Sequence, residues 1–413
     1  MAMRTDRLGD LGTAADVLRA VAGGAERHRL APPAALVGEW FGASALIAPA
    51  VSVRAVDSAE VFAVPPGNSG DAVGGGWIGY LSYPDAASDG APPRIPEAAG
   101  GWTDSVLRQD HDGYWWHESL SGAPIAGWVS DALSSPPPRS TYEIDWEEPD
   151  FARHQDGVLA ALAAIGAGEI YQACVCTQFT GTLHGSSLEF FADAVTRTTP
   201  ARAAYLAGDW GSVASLSPEL FVRRVGDEVT SSPIKGTLPL QCSPAELLAS
   251  AKDVAENIMI VDLVRNDLGR VADTGTVTVP ELLTVQAAPG VWHLVSTVAA
   301  TVRPDIPNAA LLDAAFPPAS VTGTPKGRAR QLLSQWEPRR RGVYCGTVGM
   351  ASPIAGTELN VAIRTVEFDA HGTAVLGVGG GITADSHAEA EWQECLHKAA
   401  PVIHDSRERS TAS

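Results

Sequence analysis

Five segments with strand character lie between two stretches of helical character. They are "TVTVP" (276–280), "HLVSTVAATV" (293–302), "YCGTVGMAS" (344–352), "LNVAIRTVEF" (359–368) and "AVLGVGGGI" (374–382). Their β-branched and aromatic residues suit a pleated, half-buried surface. The first helical stretch, "SPAELLASAKDVAENIMIVDLVRNDLGR", opens with Ser243, Pro244 and Glu246, a capping box with proline just inside it, and predicts a helix from about 244 to 263. The second, "SHAEAEWQECLHKAAPVI", repeats the spacing with Ser386 and Glu389. Upstream, "DFARHQDGVLAALAAIGAGEI" has helical spacing with glycines at its end, and "YQACVCTQFTGTL" then alternates as a strand. This part of the chain is therefore α+β and largely antiparallel. No repeat of 20 to 50 residues points to a solenoid or propeller.

Residues 1 to about 130 mix short apolar runs with glycine-rich breaks such as "VGGGWIGYLSYPDAA" and an aromatic piece, "DGYWWHE", which suggests antiparallel strands and a few helices. The stretch "LSSPPPRSTYEIDWEEPD" (133–150) joins a triple proline to an acidic cluster and reads as a connection. It divides the chain into an N-terminal α+β lobe, 1–140, and a second lobe, 141–405, followed by a tail, 406–413, expected to be disordered. The most apolar run, "WFGASALIAPAVSV" (40–53), ends at Glu39 and Arg54, short of the roughly 20 residues of a membrane span, and reads as buried strands. "MAMRTDRLGDLGTAADVLRAV" carries charges where the apolar core of a signal peptide would lie.

The formal net charge of −19 argues against nucleic acid or an anionic membrane as partner. An anionic ligand would have to be met by local cations. Cys174 and Cys176 sit at a spacing along a strand that does not suit an ordinary disulfide, and with Cys242, Cys345 and Cys395 the cysteines number five. Reduced thiols and a cytoplasmic location are expected.

Those local cations are few and unevenly chosen. The chain has four lysines, Lys235, Lys252, Lys326 and Lys398, against 25 arginines. Lysine differs from arginine in being an amine that can lose its proton and act as base or nucleophile. Lys235 stands in "SSPIKGTLP" (231–239), where turns usually place small or polar residues. Asp253 and Glu256 lie three apart on the first capped helix, and Glu391 and Glu394 three apart on the second, so each pair shares a helical face. Two such faces could present four carboxylates to one hard cation such as Mg²⁺. The same spacing also makes Lys252–Glu256 and Glu394–Lys398 ordinary surface pairs. "GVGGGI" (377–382) could offer backbone N–H groups to a carboxylate or be a tight turn; it does not fit a dinucleotide fingerprint, and "VTGTPKGRA" (321–329) lacks the Walker spacing.

Together these stretches resemble the chorismate-utilising enzymes over roughly residues 150 to 402. The likeness is carried, in order, by "GEIYQACVCTQF", "SLSPELFV", "PIKGTLP", "KDVAENIMIVDLVRNDLGRV", "HLVSTV", "SVTGTPKGRA", "YCGTVG", "LNVAIRT" and "GVGGGITADSHAEAEWQECLHKA", and more loosely by "GGGWIGYLSY" in the N-terminal third. The resemblance implies two large, mostly antiparallel β-sheets packed with outer helices around a central cleft that binds chorismate through Mg²⁺. It marks Glu256 and Glu394 as direct metal ligands, with Asp253 and Glu391 behind them through water. Tyr344, Arg364, Lys398 and the backbone of Gly379 and Gly380 would hold the second carboxylate. Thr237, His293, Thr322, Gly323, Lys326 and Gly346 fall in family motifs as further substrate-side positions, Lys326 and His293 in a supporting role.

Within the family, the anthranilate synthases have alanine at the lysine of "PIKGT", whereas the aminodeoxychorismate synthases have lysine. Lys235 thus implies attack of its amine on ring carbon two, loss of the 4-hydroxyl with a proton from Glu219, and addition of ammonia at carbon four. Isochorismate and salicylate synthases place a basic lysine where this chain has Gln172, which argues against activation of water. The chain lacks a nucleophilic-cysteine elbow, so ammonia is expected from a separate glutamine amidotransferase subunit. Two departures stand out: "GTLPL" replaces the family's "GTRPR", putting Leu238 and Leu240 in place of cations, and "YQACVCTQF" carries unusual cysteines. Anthranilate synthase component I and a non-catalytic chorismate-binding paralogue are the alternatives.

Overall fold

The computed structural model describes residues 3–68, 72–85, 90–135 and 139–403. Prolines 136–138 and the tail from 406 lie outside them. The strands form two sheets. The 12-stranded sheet runs in the order Arg4–Gly9, Trp115–Ser119, Ser105–Gln109, Ala43–Ala48, Ala34–Trp40, Arg202–Gly208, Gly211–Ser217, Thr365–Asp369, Thr373–Ile382, Gln172–Gly185 and Gly323–Thr324, with Tyr142–Glu147 also paired to Gln172–Gly185. The ten-stranded sheet runs Ile234–Pro239, Val291–Thr301, Glu228–Ser232, Leu220–Val225, Gly356–Asn360, Thr347–Ser352, Gly76–Leu81, Ala98–Thr103 and Arg54–Ala55, with Thr278–Ala288 also on Val291–Thr301. All of these pairings are antiparallel.

Strands from both sides of the 133–150 connection share each sheet: Ala34–Trp40 pairs with Arg202–Gly208, and Gly76–Leu81 with Thr347–Ser352. The run 40–53 contributes the buried strand Ala43–Ala48, as its composition requires. Alternation along the strands sets up the layers. Ala35, Ala203 and Tyr205 pack outward against Leu18, Val21, Phe190 and Phe191 of helices Ala14–Arg27 and Ser187–Thr198. Their neighbours Ala34, Leu36, Ala204 and Leu206 point the other way, onto Ile78, Tyr80, Val348 and Met350 of the second sheet. The outer face of that sheet, with Phe221, Val229 and Val298, is covered by Ile260, Val264 and Leu311 of helices Ala251–Gly269 and Asn308–Ala315. Each fully buried large apolar side chain in these layers contributes roughly 2 kcal/mol.

Several local expectations shift. The helix expected over 244–263 is two, Ala245–Ala249 and Ala251–Gly269. Ser250 breaks it with extended backbone (φ −73°, ψ 102°), and its hydroxyl caps the second helix by accepting from Asp253 N–H at 3.2 Å. Half of the first capping box forms, the Ser243 N–H donating to Glu246 at 3.0 Å. The second box does not form. Helix Ala388–Ala399 starts after Ser386, whose hydroxyl donates to buried Glu391 at 2.7 Å and accepts from the Thr383 N–H at 3.1 Å, so its acceptor is used by the preceding turn and not by the helix end. "LNVAIRTVEF" is also divided: 356–360 lies in one sheet and 365–369 in the other, with Arg364 at φ +50° in the crossing. The strand expected at 276–280 begins at Thr278 and runs to Ala288. The glycine run 377–381 is strand, not a turn.

Arg341 ties the cleft-side pieces together. It is 2% exposed, bonds both oxygens of Glu337 at 2.7 Å, and donates to the carbonyls of Val321 at 2.8 Å and Cys174 at 2.7 Å. Its guanidinium lies over Tyr83, 4.4 Å from the ring centre. Removing one partner of a buried pair strands the other charge. Arg341→Ala is therefore expected to lose about 3–5 kcal/mol of unfolding free energy in urea titrations, whereas Arg265→Ala, at an exposed pair with Asp262, is expected to stay within about 0.5 kcal/mol.

Candidate active site

The site forms where the ends of the two sheets meet. Strand 234–239 and helix 251–269 belong to the second sheet's side; strands 172–185 and 373–382 and helix 388–399 belong to the first. Helix 251–269 is pinned to strand 291–301 by Asn257, which donates to Leu294 O at 3.2 Å and accepts from Ser296 Oγ at 2.6 Å. Gly236 (φ +82°) lets it close on the lysine strand, since a Cβ there would lie 3.1 Å from Cβ of Asp253.

Lys235 reaches inward and donates to the carbonyl of Ser320 at 3.0 Å. Its charge acts on Glu219, Glu256 and Glu394 at once. Glu219 is buried, and that burial pushes its carboxyl up to about 7, against the pull of Ser320, Lys235, the Ile234 N–H and Lys398. Burial likewise raises Glu256, although Lys235 and Lys252 oppose it. For Glu394 burial is outweighed by Lys398, 2.6 Å away, and the carboxyl ends below its ordinary value. Lys398 also donates to Gly379 O at 2.8 Å.

The acids of the two helices do converge. A Cβ on Gly380 would lie 2.8 Å from Glu391 Oε2 and 3.8 Å from Glu394 Oε1, and one on Gly381 would lie 3.6 Å from Glu256 Oε2. The glycine strand thus gives the carboxylates room. Lys252 stands between the helices, 3.4 Å from Glu391 and 3.9 Å from Glu256, and these acids with Glu394 hold its ammonium above its usual range despite burial. Asp253 is half-buried on the same helix, and its backbone N–H is the one capped by Ser250. Glu256 Oε1, Glu391 Oε2 and Gln172 Oε1 are buried without a hydrogen-bond partner. Among the described residues no three His, Cys, Asp or Glu side chains form a ready-made metal cage. The donor set nevertheless fits a hard divalent cation: all-oxygen, converging, and left with buried acceptors unmet.

Other residues named from the sequence take distinct places. Thr237 pairs across the ladder with His293, and its hydroxyl lies 2.9 Å from Nδ1. Burial, with Arg364 nearby, pushes His293 down to about 4, so the imidazole is neutral at pH 7. Tyr344 is buried against Gly377, where any Cβ would strike its ring. Gly379 turns its carbonyl to the open edge of its strand, so its N–H faces the same way; Gly380, opposite Val175, faces strand 172–185 and uses its amide in the ladder. Gly346 and Gly323 are close-approach glycines, against Leu81 O and Gln172 O. Thr322 bonds Pro318 O at 2.9 Å. Lys326 uses its donors on Asp267 (2.6 Å), Ala315 O and Pro317 O (both 2.9 Å), bracing the turn that presents Ser320. Lys235, Glu219, Glu256, Glu391, Glu394, Lys398 and Gln172 are brought together; Lys326 stands behind them. Sequence reasoning missed the Ser320 carbonyl, which no side chain could have signalled, and read Lys252 only as a surface pair.

The sequence pattern of the chorismate binding enzyme family matches residues 44–404. The chain belongs to that family. It is 36% identical over 322 residues to aminodeoxychorismate synthase component 1 of Escherichia coli (strain K12), covering 75% of this chain and 70% of that protein. It is 41% identical over 249 residues to the Klebsiella aerogenes protein of the same name, covering 59% and 55%. The match to anthranilate synthase component 1 of Neisseria meningitidis is shorter, 39% over 207 residues, covering 48% and 42%. In fold, the chain is similar to anthranilate synthase component I from Streptococcus pneumoniae (TM-score 0.72, 24% identity, 90% of each chain). It is also similar to the menaquinone-specific isochorismate synthase of Escherichia coli (TM-score 0.70, 18% identity, 98% and 95%). The family fold accounts for the two antiparallel sheets with outer helices.

Glu256 yields a stability test in this family member. Its raised value means that the ionised form is disfavoured by folding, so the cost is absent below the unfolded carboxylate range, grows as pH rises from there toward the folded value, and is fully present above it. Glu256→Gln is expected to melt at a higher temperature than the parent at pH 7 without added metal, and the gap is expected to close toward pH 4. Mg²⁺ is expected to raise the melting temperature of the parent and not that of the variant.

Proposed function

We propose that the chain is the chorismate-binding component of an aminodeoxychorismate synthase. It would replace the 4-hydroxyl of chorismate with ammonia to give 4-amino-4-deoxychorismate and water. The observation that carries this reading is Lys235, an amine among buried carboxylates, next to an acid that burial holds protonated near neutrality. Glu256 and Glu394, with Asp253 and Glu391 behind them, would hold Mg²⁺, which when bound supplies a positive charge for a substrate carboxylate. Arg364 and Lys398, with the free amide of Gly379, would face the other carboxylate.

In the reaction, Lys235 first releases its ammonium proton to solvent, and the free amine bonds to ring carbon two as the 4-hydroxyl departs. Glu219 gives that leaving oxygen its proton, a role its raised value suits at neutral pH. Ammonia then bonds to carbon four and gives a proton back to Glu219, the carbon–nitrogen bond to Lys235 breaks with its electron pair returning to the amine, and the double bonds return. The carbonyl of Ser320 orients the amine toward the cleft. Gln172, buried and lacking basicity, does not activate water for the competing addition. Ammonia is supplied by a separate glutamine amidotransferase. The five unbridged cysteines agree with a cytoplasmic setting, and among the described residues no helix is long and apolar enough to cross a membrane.

Incubation with chorismate, Mg²⁺ and ammonium, followed by a lyase that releases 4-aminobenzoate, tests the proposal. 4-Aminobenzoate is the expected product; anthranilate would assign the chain to the other synthase, and binding without turnover would make it a non-catalytic paralogue. Lys235→Ala is expected to bind chorismate in calorimetry but to form no aminodeoxychorismate. Glu219→Gln is expected to lower kcat by about 10²–10⁴-fold. The parent's rate is expected to decline above pH about 7, as Glu219 gives up its proton, and the variant's profile to lack that limb.

A further inference from the structure

The cysteines on the site strand have no part in this chemistry, yet they are built into its wall. Cys174 and Cys176 put their sulfurs 3.9 Å apart on one face of strand 172–185, with the Cys345 thiol beside Cys176. All are free. Two residues along a strand separate the Cα atoms by about 6.6 Å, near the upper end for a direct S–S bond. One three-coordinate thiophilic atom bonding both sulfurs at about 2.3 Å with an angle of about 100° needs them roughly 3.5 Å apart, a few tenths of an ångström closer than they stand.

We propose that Cys174 and Cys176 are a vicinal dithiol that captures trivalent arsenicals, and that bridging it shuts the cleft. Although Cys345 stands beside Cys176, among the described residues no three His, Cys, Asp or Glu side chains are placed to hold a metal ion here. A three-coordinate centre that brings its own third substituent therefore matches the pair better than a resident metal. A cavity of about 320 Å³, bounded by Asp150, Arg153, Val175, Trp336 and Tyr344, reaches Cys176 from the side of helix Phe151–Gly166. For an organoarsenic oxide, two arsenic–sulfur bonds form, the arsenic–oxygen double bond breaks, and its oxygen leaves as water with both thiol protons. Arsenic stays trivalent, so no oxidant is needed. Cys176 Sγ packs directly on Gly379, where a Cβ would lie 2.7 Å away, and Gly379 O is the acceptor for Lys398. An atom wedged behind Gly379 displaces that carbonyl and with it the Lys398–Glu394 pair.

The test uses the full chain and phenylarsine oxide. Intact-mass analysis is expected to show one adduct, formed with loss of water, that is removed by a dithiol and not by a monothiol. Cys174→Ser and Cys176→Ser should each abolish it, whereas Cys345→Ser and Cys395→Ser should retain it; circular dichroism checks that each variant is folded. An adduct that survives Cys176→Ser, or none on the folded parent while a dithiol peptide in the same tube is labelled, overturns the assignment. Turnover should be lost on labelling and return with the dithiol; a labelled protein with unchanged turnover overturns the closure. Only this last arm rests on the proposed amination, so failure of the adduct and failure of the enzymatic reading are separable.

Discussion

Four glutamates gathered in a chain of net charge −19 must be held against their own repulsion. In the cleft, Glu219, Glu256, Glu391 and Glu394 come from both sheets' sides and are balanced by Lys235, Lys252 and Lys398. Each helix brings its acids to the seam with a lysine one turn away, and Lys252 reaches across to the other helix. Burial raises Glu219, and Lys398 on the same helix outweighs burial at Glu394. Glu219 is thereby poised near neutrality and Glu394 held ionised. A site arranged in this way is costly to keep without a cation, because Glu256 and Glu391 each retain a buried oxygen with no partner.

The scaffold's role is to bring those charges together and hold them still. Both sheets draw strands from the first and second halves of the chain, so the cleft is braced by nearly the whole molecule. Arg341 and Lys326 show how the bracing works. One ties strand 172–185 to the turn at 319–322, and the other fastens the segment leading into that turn, at Ala315 and Pro317, to Asp267 of helix 251–269. The turn then presents one carbonyl, that of Ser320, to Lys235. A lysine that floats would sample many rotamers; one anchored at 3.0 Å is already oriented.

Much of this was legible from side-chain type and spacing. The strand 172–185, the helix ending near Gly168, the acid-bearing helices and the selective use of lysine all follow from local rules, because propensity and period act over a few residues. Misreadings came where a distant partner overrode a local preference. Ser386 bonds Glu391 in place of capping its helix, Ser250 splits a helix that the first capping box appeared to start cleanly, and Arg364 turns one apparent strand into two in different sheets.

By itself the sequence determined the α+β class, the antiparallel habit and the residues able to do chemistry, since these depend on composition, alternation and residue identity. Only the tertiary structure decided that strands from both halves interleave, that Lys252 neutralises acids on another helix, and that two cysteines share a wall with Gly379. The physical reason is range: patterning is written over a few neighbouring residues, whereas burial and charge depend on groups up to hundreds of residues apart that meet only when the sheets have packed.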